Sequence, residues 1–185
     1  MDIQLTGLGT PNSDMCITQQ QALELMERTL KMTDEERDLY QRLLTDSPIK
    51  QRYLGVDRIE EALDTNPELL IDRYLKHGRY IAAKAVHKAL ADAGKTVNDI
   101  TGLVVNTCTG YLCPGLSSYL IEDLNLPHST KIIDIMGMGC GGAIPNLETA
   151  AGMLAREQKG CVVSVSVEIC SATSYAGFRS CPDCK

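Results

Sequence analysis

Cys140 sits in "DIMGMGCGGAIPNLETA", residues 134–150, where an apolar run gives way through glycines to a helical pattern. The spacing predicts a buried strand ending at Gly137, a sharp turn, and a helix starting at about Gly141. A thiol placed there meets the positive end of a helix and its free backbone N–H groups. Such surroundings favour a thiolate and can hold an oxyanion. Gly139, Gly141 and Gly142 clear side chains from the approach of a substrate carbonyl, and Pro145 is tolerated in a first helical turn. The logic is that of a nucleophile elbow with sulfur in place of oxygen. From spacing alone, a small residue filling a glycine-rich turn explains Cys140 equally well.

A cysteine nucleophile usually leans on a base, and the chain has three histidines. His77 and His87 fall within one long helical pattern and are expected to be structural or solvent-facing. His128, in "NLPHST", lies on a loop before the strand that leads to Cys140. None is placed by its spacing as a partner.

The elements that must position Cys140 are legible as alternating patterns. "IQLTGLGT" (3–10) reads as a short strand running into a turn. Residues 18–32 and 33–47 read as amphipathic helices, the first with Thr18 as N-cap, the second with acids suiting its dipole. A basic patch, "IKQRY" (49–53), follows Pro48. Asn66 and Pro67 start the longest helical pattern and Gly94 stops it, with Gly78 a weak point in its middle. Then come a buried strand (99–109), a short helix from Gly115, a strand (130–137), and a helix (141–158). That last helix is expected to pack through Ala143, Leu147, Ala150, Ala151 and Leu154. "KGCVVSVSVEIC" closes as a further strand. Strands alternating with helices imply an α/β layer structure with a mostly parallel sheet.

Composition bounds the function. At 185 residues the chain is one domain or one large domain half. With 44% hydrophobic and 23% charged residues it is a globular protein rather than a disordered one, and its scarce aromatics imply an aliphatic core. A net charge of −6 argues against a nucleic-acid partner. No apolar run reaches the length of a membrane span, and "MDIQLTGLGT" lacks the features of a signal peptide, so a cytoplasmic protein is expected. The eight cysteines are read as small buried hydrophobes of a reducing compartment. The "CPDC" pair at 181–184 lacks the second pair or the two histidines of a zinc site. It also ends the chain, where a redox motif would start a helix. No metal is expected.

Five stretches, in order and spacing, resemble the chalcone and stilbene synthase family, the type III polyketide synthases of thiolase fold. They are "GLGTPNS", "SPIKQRY", "TGLVVNTCTGYLCPG", "GMGCGG" and "VVSVSVEICSAT", spanning about residues 3–175, with 176–185 an irregular tail. The resemblance implies one half of a thiolase-like fold: a mixed, mostly parallel sheet flanked by helices, with the nucleophilic cysteine at a helix N-terminus. It implies that Cys140 is loaded with an acyl group from a coenzyme A thioester, for decarboxylative condensation with malonyl units. It sets Cys108, Thr109 and Cys113 on a pocket loop, with Cys113 facing the other subunit of a dimer. It sets Glu168, Cys170 and Thr173 around the acyl pocket, on the strand after the nucleophile helix.

The family's three basic positions for coenzyme A phosphates read Leu39, Arg42 and Asp46 here, leaving only Arg42. The donor is therefore acyl-CoA and malonyl-CoA, or an acyl carrier protein, as substrates rather than bound cofactors. The family's catalytic histidine and asparagine have no counterpart in these residues. The expected activity is thus loading without extension, in a homodimer or with a complementing C-terminal half. Two other readings stand beside it. One is a ketoacyl synthase III-like condensing protein. The other is a non-catalytic truncated relative that binds acyl ligands or dimerises. Apolar surface meant for a second half also predicts self-association of the chain.

Overall fold

A computed structural model describes residues 3–64, 66–157 and 160–173; the "CPDC" pair and the tail from 176 lie outside these. Its centre is a three-stranded parallel sheet in the order β4 (Lys131–Met136), β3 (Ile100–Thr107), β5 (Cys161–Ser166). β3 is buried along almost its whole length, as befits a central parallel strand covered on both faces. α3 (Pro67–Asp92) and α4 (Leu116–Leu124) pack on one face, and α5 (Ala143–Glu157) on the other. Alternation along β3 divides the layers. Leu103 and Val105 join Val86, Leu90, Leu120 and Val165 in an aliphatic core with α3 and α4. Asn106, of opposite parity, faces α5.

α3 starts as its sequence dictates: the Asn66 side chain accepts the Glu68 N–H, Pro67 stands in the first turn, and Gly94 adopts φ +62° just past the end. The helix runs unbroken through Gly78, which is buried beside Tyr74. α1 (Gln19–Thr29) and α2 (Asp34–Thr45) each open with a complete capping box, Thr18 with Gln21 and Thr33 with Glu36. The segments before α1 and after α2 pair with each other, which the sequence patterns do not show. β1 (Met15–Thr18) runs antiparallel to β2 (Gln51–Leu54), so "IKQRY" leads into a strand.

Four expectations are corrected. Residues 3–10 form no strand. Gly7 and Gly9 press on the backbone of α3, and a cavity of about 290 Å³ separates Gln4–Gly9 from the outer edge of β5. Leu147 is not on the packing side of α5 but 55% exposed, with Ile144 exposed beside it, while Ala150 is buried. None of the six described cysteines is buried: Cys16, Cys113, Cys140 and Cys170 are exposed, and Cys108 and Cys161 are half-buried. They lie at strand ends, turns and sheet edges rather than in the core. Finally, the last strand ends at Ser166. Val167 still donates to the Asn106 carbonyl, but the Ile169 N–H turns to the Thr109 hydroxyl at 3.0 Å, drawing the chain off the sheet. Glu168 therefore lies past the strand, and Cys170 and Thr173 lie on the short helix α6 (Cys170–Thr173).

Candidate functional site

β4 ends at Met136 and the chain turns through Gly137 and Gly139, at φ +75° and +60°, values that glycine adopts without a Cβ clash. A 3-10 turn, Gly139–Gly142, then feeds α5, so the helix proper begins at Ala143 and not at Gly141. Cys140 stands exposed on this turn. Gly142 is buried against β3: a Cβ there would come within 2.9 Å of Asn106 Nδ2. Close packing of turn on strand thus accounts for at least one of the glycines, alongside any need for an open approach.

Beneath the turn lies a polar network that sequence reading missed. Asn146, fully buried on the first turn of α5, donates through Nδ2 to Asn106 Oδ1 (2.7 Å), the Val165 carbonyl (2.9 Å) and the Val104 carbonyl (3.3 Å). The Ser164 hydroxyl donates to Asn146 Oδ1 and the Ser166 hydroxyl to Asn106 Oδ1, both at 2.7 Å. This clamp ties the start of α5 to β3 and β5, and so fixes where Cys140 points. Its signal was available: asparagine inside the apolar "LVVNT" run, and alternate serines in "VVSVSV".

Cys108 follows β3 directly. Glu168 holds it three times, taking its backbone N–H at 3.0 and 3.2 Å and its thiol at 3.3 Å. The hydrogen bond to this carboxylate, with burial and the charges of Glu168 and Cys140 behind it, pushes the Cys108 thiol up to about 11. Cys140 is thus among the groups that act on the Cys108 thiol. Thr109 sits one residue on; its hydroxyl lies 3.4 Å from that of Thr107, which receives the Tyr74 phenol at 2.6 Å. Burial pushes the Tyr74 phenol up, and the nearby Glu168 charge adds to this.

Cys140, Cys108, Thr109 and Glu168 are therefore gathered at the ends of β3, β4 and β5. Cys113 is exposed further along the same loop, before a cis peptide to Pro114. Cys170, with Glu168, Arg52, Tyr53 and Ser171, lines a separate cavity of about 470 Å³, of which Cys140 is not a wall. The Thr173 hydroxyl turns back to the Cys170 carbonyl. Arg42 is on α2, where its Nε donates to the Asp38 carbonyl and Asp38 and Asp46 share its surface depression. Two carboxylates beside it weaken any hold on a phosphate.

The histidines are elsewhere. His77 faces Asp57 at 3.6 Å, too long for a hydrogen bond, and its burial holds the ring below the usual imidazole range. His87 and His128 are exposed. Among the described residues no cluster of histidine, cysteine or carboxylate could hold a metal, and no helix is long and apolar enough to cross a membrane.

A sequence model of the FAE1/type III polyketide synthase-like proteins matches residues 9–181. The chain belongs to this family. It is 29% identical over 155 residues to phloroglucinol synthase of Pseudomonas fluorescens, covering 84% of this chain and 44% of that enzyme. It is 30% identical over 185 residues to the 3,5-dihydroxyphenylacetyl-CoA synthase of Amycolatopsis balhimycina, covering 94% and 45%. The fold matches the type III polyketide synthase domain of Steely1 from Dictyostelium, with a TM-score of 0.79 at 26% identity, over 94% of this chain and 50% of that domain. It also matches 1,3,6,8-tetrahydroxynaphthalene synthase of Streptomyces coelicolor, with a TM-score of 0.77 at 23% identity. The thiolase-like α/β architecture expected from the motifs is thereby shown. This type III polyketide synthase-like chain spans about half the length of the relatives it matches.

Proposed function

We propose that this chain is the nucleophile-bearing half of a type III polyketide synthase, in which Cys140 accepts an acyl group from a coenzyme A thioester. The observation that carries the reading is the exposed Cys140 on a glycine turn at the head of α5, in a chain of this family. The thiolate attacks the thioester carbonyl, the oxyanion draws on N–H groups of the turn, and coenzyme A leaves as the thiol. Decarboxylative condensation with malonyl units asks for donors around an enolate, and the three histidines occupy other surroundings. The full cycle therefore belongs to Cys140 acting with a complementing C-terminal half. Ile144 and Leu147 on α5, and the outer edge of β5 facing the cavity at Gln4–Gly9, are the apolar and hydrogen-bonding surfaces available to it. A homodimer of the cytoplasm, with Cys113 near its interface, fits the same reading.

The test is intact-mass spectrometry after incubation with a panel of acyl-coenzyme A thioesters. An acyl adduct on the wild-type chain, absent in Cys140→Ala, is expected. No adduct from any thioester, with a folded chain, would refute the loading step. An extended polyketide from the purified chain would refute the need for a second half.

A further inference from the structure

Cys140 is not the only thiol at the sheet ends. β3 and β4 are in register up to Thr107 opposite Met136, so the chain leaving β3 at Cys108 runs beside the chain leaving β4 into the Cys140 turn. The turn itself rests on β3 at Asn106. Cys108 and Cys140 thus share this junction, and Cys140 is among the groups that act on the Cys108 thiol. Cys140 is exposed and Cys108 half-buried, so both are open to small solutes, and Glu168 anchors the Cys108 backbone and thiol. The proposed acyl chemistry uses Cys140 and leaves Cys108 without a covalent role.

We propose that Cys140 and Cys108 form a peroxide-reactive dithiol site, in which oxidised Cys140 is captured by Cys108 as a reversible intramolecular disulfide. The Cys140 thiolate attacks one oxygen of hydrogen peroxide; the S–O bond forms, the O–O bond breaks, and hydroxide leaves. Sulfur is oxidised to the sulfenic acid and the peroxide is reduced. Cys108, having released its proton to solvent, attacks the Cys140 sulfur. The S–S bond forms, the S–O bond breaks, and the departing hydroxide takes up a proton to become water. In sum, two thiols and one peroxide give one disulfide and two waters. A small thiol restores both cysteines by exchange. The disulfide blocks acyl acceptance at Cys140 and spares it from irreversible sulfinic acid.

Glu168 sets the pace of closure. Because the carboxylate holds the Cys108 proton, its thiol ionises only near 11, and the attacking thiolate is scarce at neutral pH. Capture therefore accelerates about tenfold for each pH unit in the neutral range.

Trypsin separates the two cysteines, Cys108 into peptide 96–131 and Cys140 into 132–156. Cys113 shares the first peptide, so the experiment uses Cys113→Ser protein whose folding is confirmed by circular dichroism. Stoichiometric hydrogen peroxide is expected to link the two peptides, and dithiothreitol to release them. The linking rate, measured from the Cys140 sulfenic acid by quenching with dimedone, is expected to rise about tenfold from pH 7 to pH 8. With Cys108→Ser added, the sulfenic acid should persist at least about tenfold longer, and a second equivalent of hydrogen peroxide should carry it to the sulfinic acid. Absence of the link in folded protein, a pH-independent linking rate, or an unchanged sulfenic lifetime in the Cys108→Ser variant would each overturn the proposal. The readouts do not involve acyl-coenzyme A, so failure of acyl loading leaves them intact.

Discussion

Replacing Asn146 by leucine should loosen the seat of the Cys140 turn on the sheet. The asparagine makes four hydrogen bonds, donating to Asn106 Oδ1, Val104 O and Val165 O and accepting from the Ser164 hydroxyl. Its two amide hydrogens serve three acceptors, so the 3.3 Å contact to Val104 is the weakest and is discounted. At about 1 kcal/mol net per remaining bond, Asn146→Leu is expected to cost about 3 kcal/mol. Leucine fills the space, so no large cavity term is added. Against a stability of about 5–15 kcal/mol this leaves a folded but weakened chain. The midpoint of thermal unfolding should fall by about 6–12 °C for a chain of this size. Urea titration followed by far-UV circular dichroism measures the loss, with unchanged dependence on denaturant. Ser164→Ala, which removes one bond, should cost about 1 kcal/mol. If Asn146→Leu matched the wild type to within about 1 kcal/mol, the network would be solvated in solution and would not position Cys140.

Glu168→Gln removes the charge that keeps the Cys108 thiol protonated. The raised value means that Cys108 is a thiol throughout the neutral range and gains reactivity only as pH climbs toward about 11. A full return from about 11 to the ordinary 9.0 would raise the thiolate at pH 8 at most about a hundredfold, and the weaker nucleophile gives back about half of that logarithm. A disulfide reagent at pH 8, with peptide mapping, should therefore modify Cys108 about three- to tenfold faster; an unchanged rate would show that the carboxylate does not govern it. Gly115→Ala places a Cβ 2.5 Å from Asp134 Oδ2, the carboxylate that accepts the Ser117 N–H and hydroxyl at the start of α4. Losing this cap should destabilise the chain by about 1–2 kcal/mol in the same urea titration. Wild-type chain should self-associate in sedimentation velocity, and Ile144→Glu with Leu147→Glu should reduce this by charging an exposed apolar face. A wild-type chain that stays monomeric at high concentration would refute that expectation.

Much of this molecule follows from local rules in the sequence. Thr18, Thr33, Asn66 with Pro67, and Gly94 mark helix ends because each satisfies backbone groups within its own turn, needing nothing distant. The apolar runs that became β3, β4 and β5, and the glycine turn at Cys140, were legible for the same reason. Family membership, too, lay in the order of motifs along the chain. What only tertiary structure decided is which residues meet. Leu147 has the pattern of a core residue, yet it stands at the rim of the cavity beside Gln4–Gly9 and remains 55% exposed. Residues 3–10 have strand composition, but a strand needs a neighbour's hydrogen bonds, and Gly7 and Gly9 bring this segment onto α3 instead. Glu168 is sixty residues from Cys108, and their bond exists because parallel strands end side by side. The same packing puts Asn146 against Asn106 and brings the turn that carries Cys140 onto the end of β3 beside Cys108. Sequence singled out Cys140; the register of three parallel strands chose its surroundings.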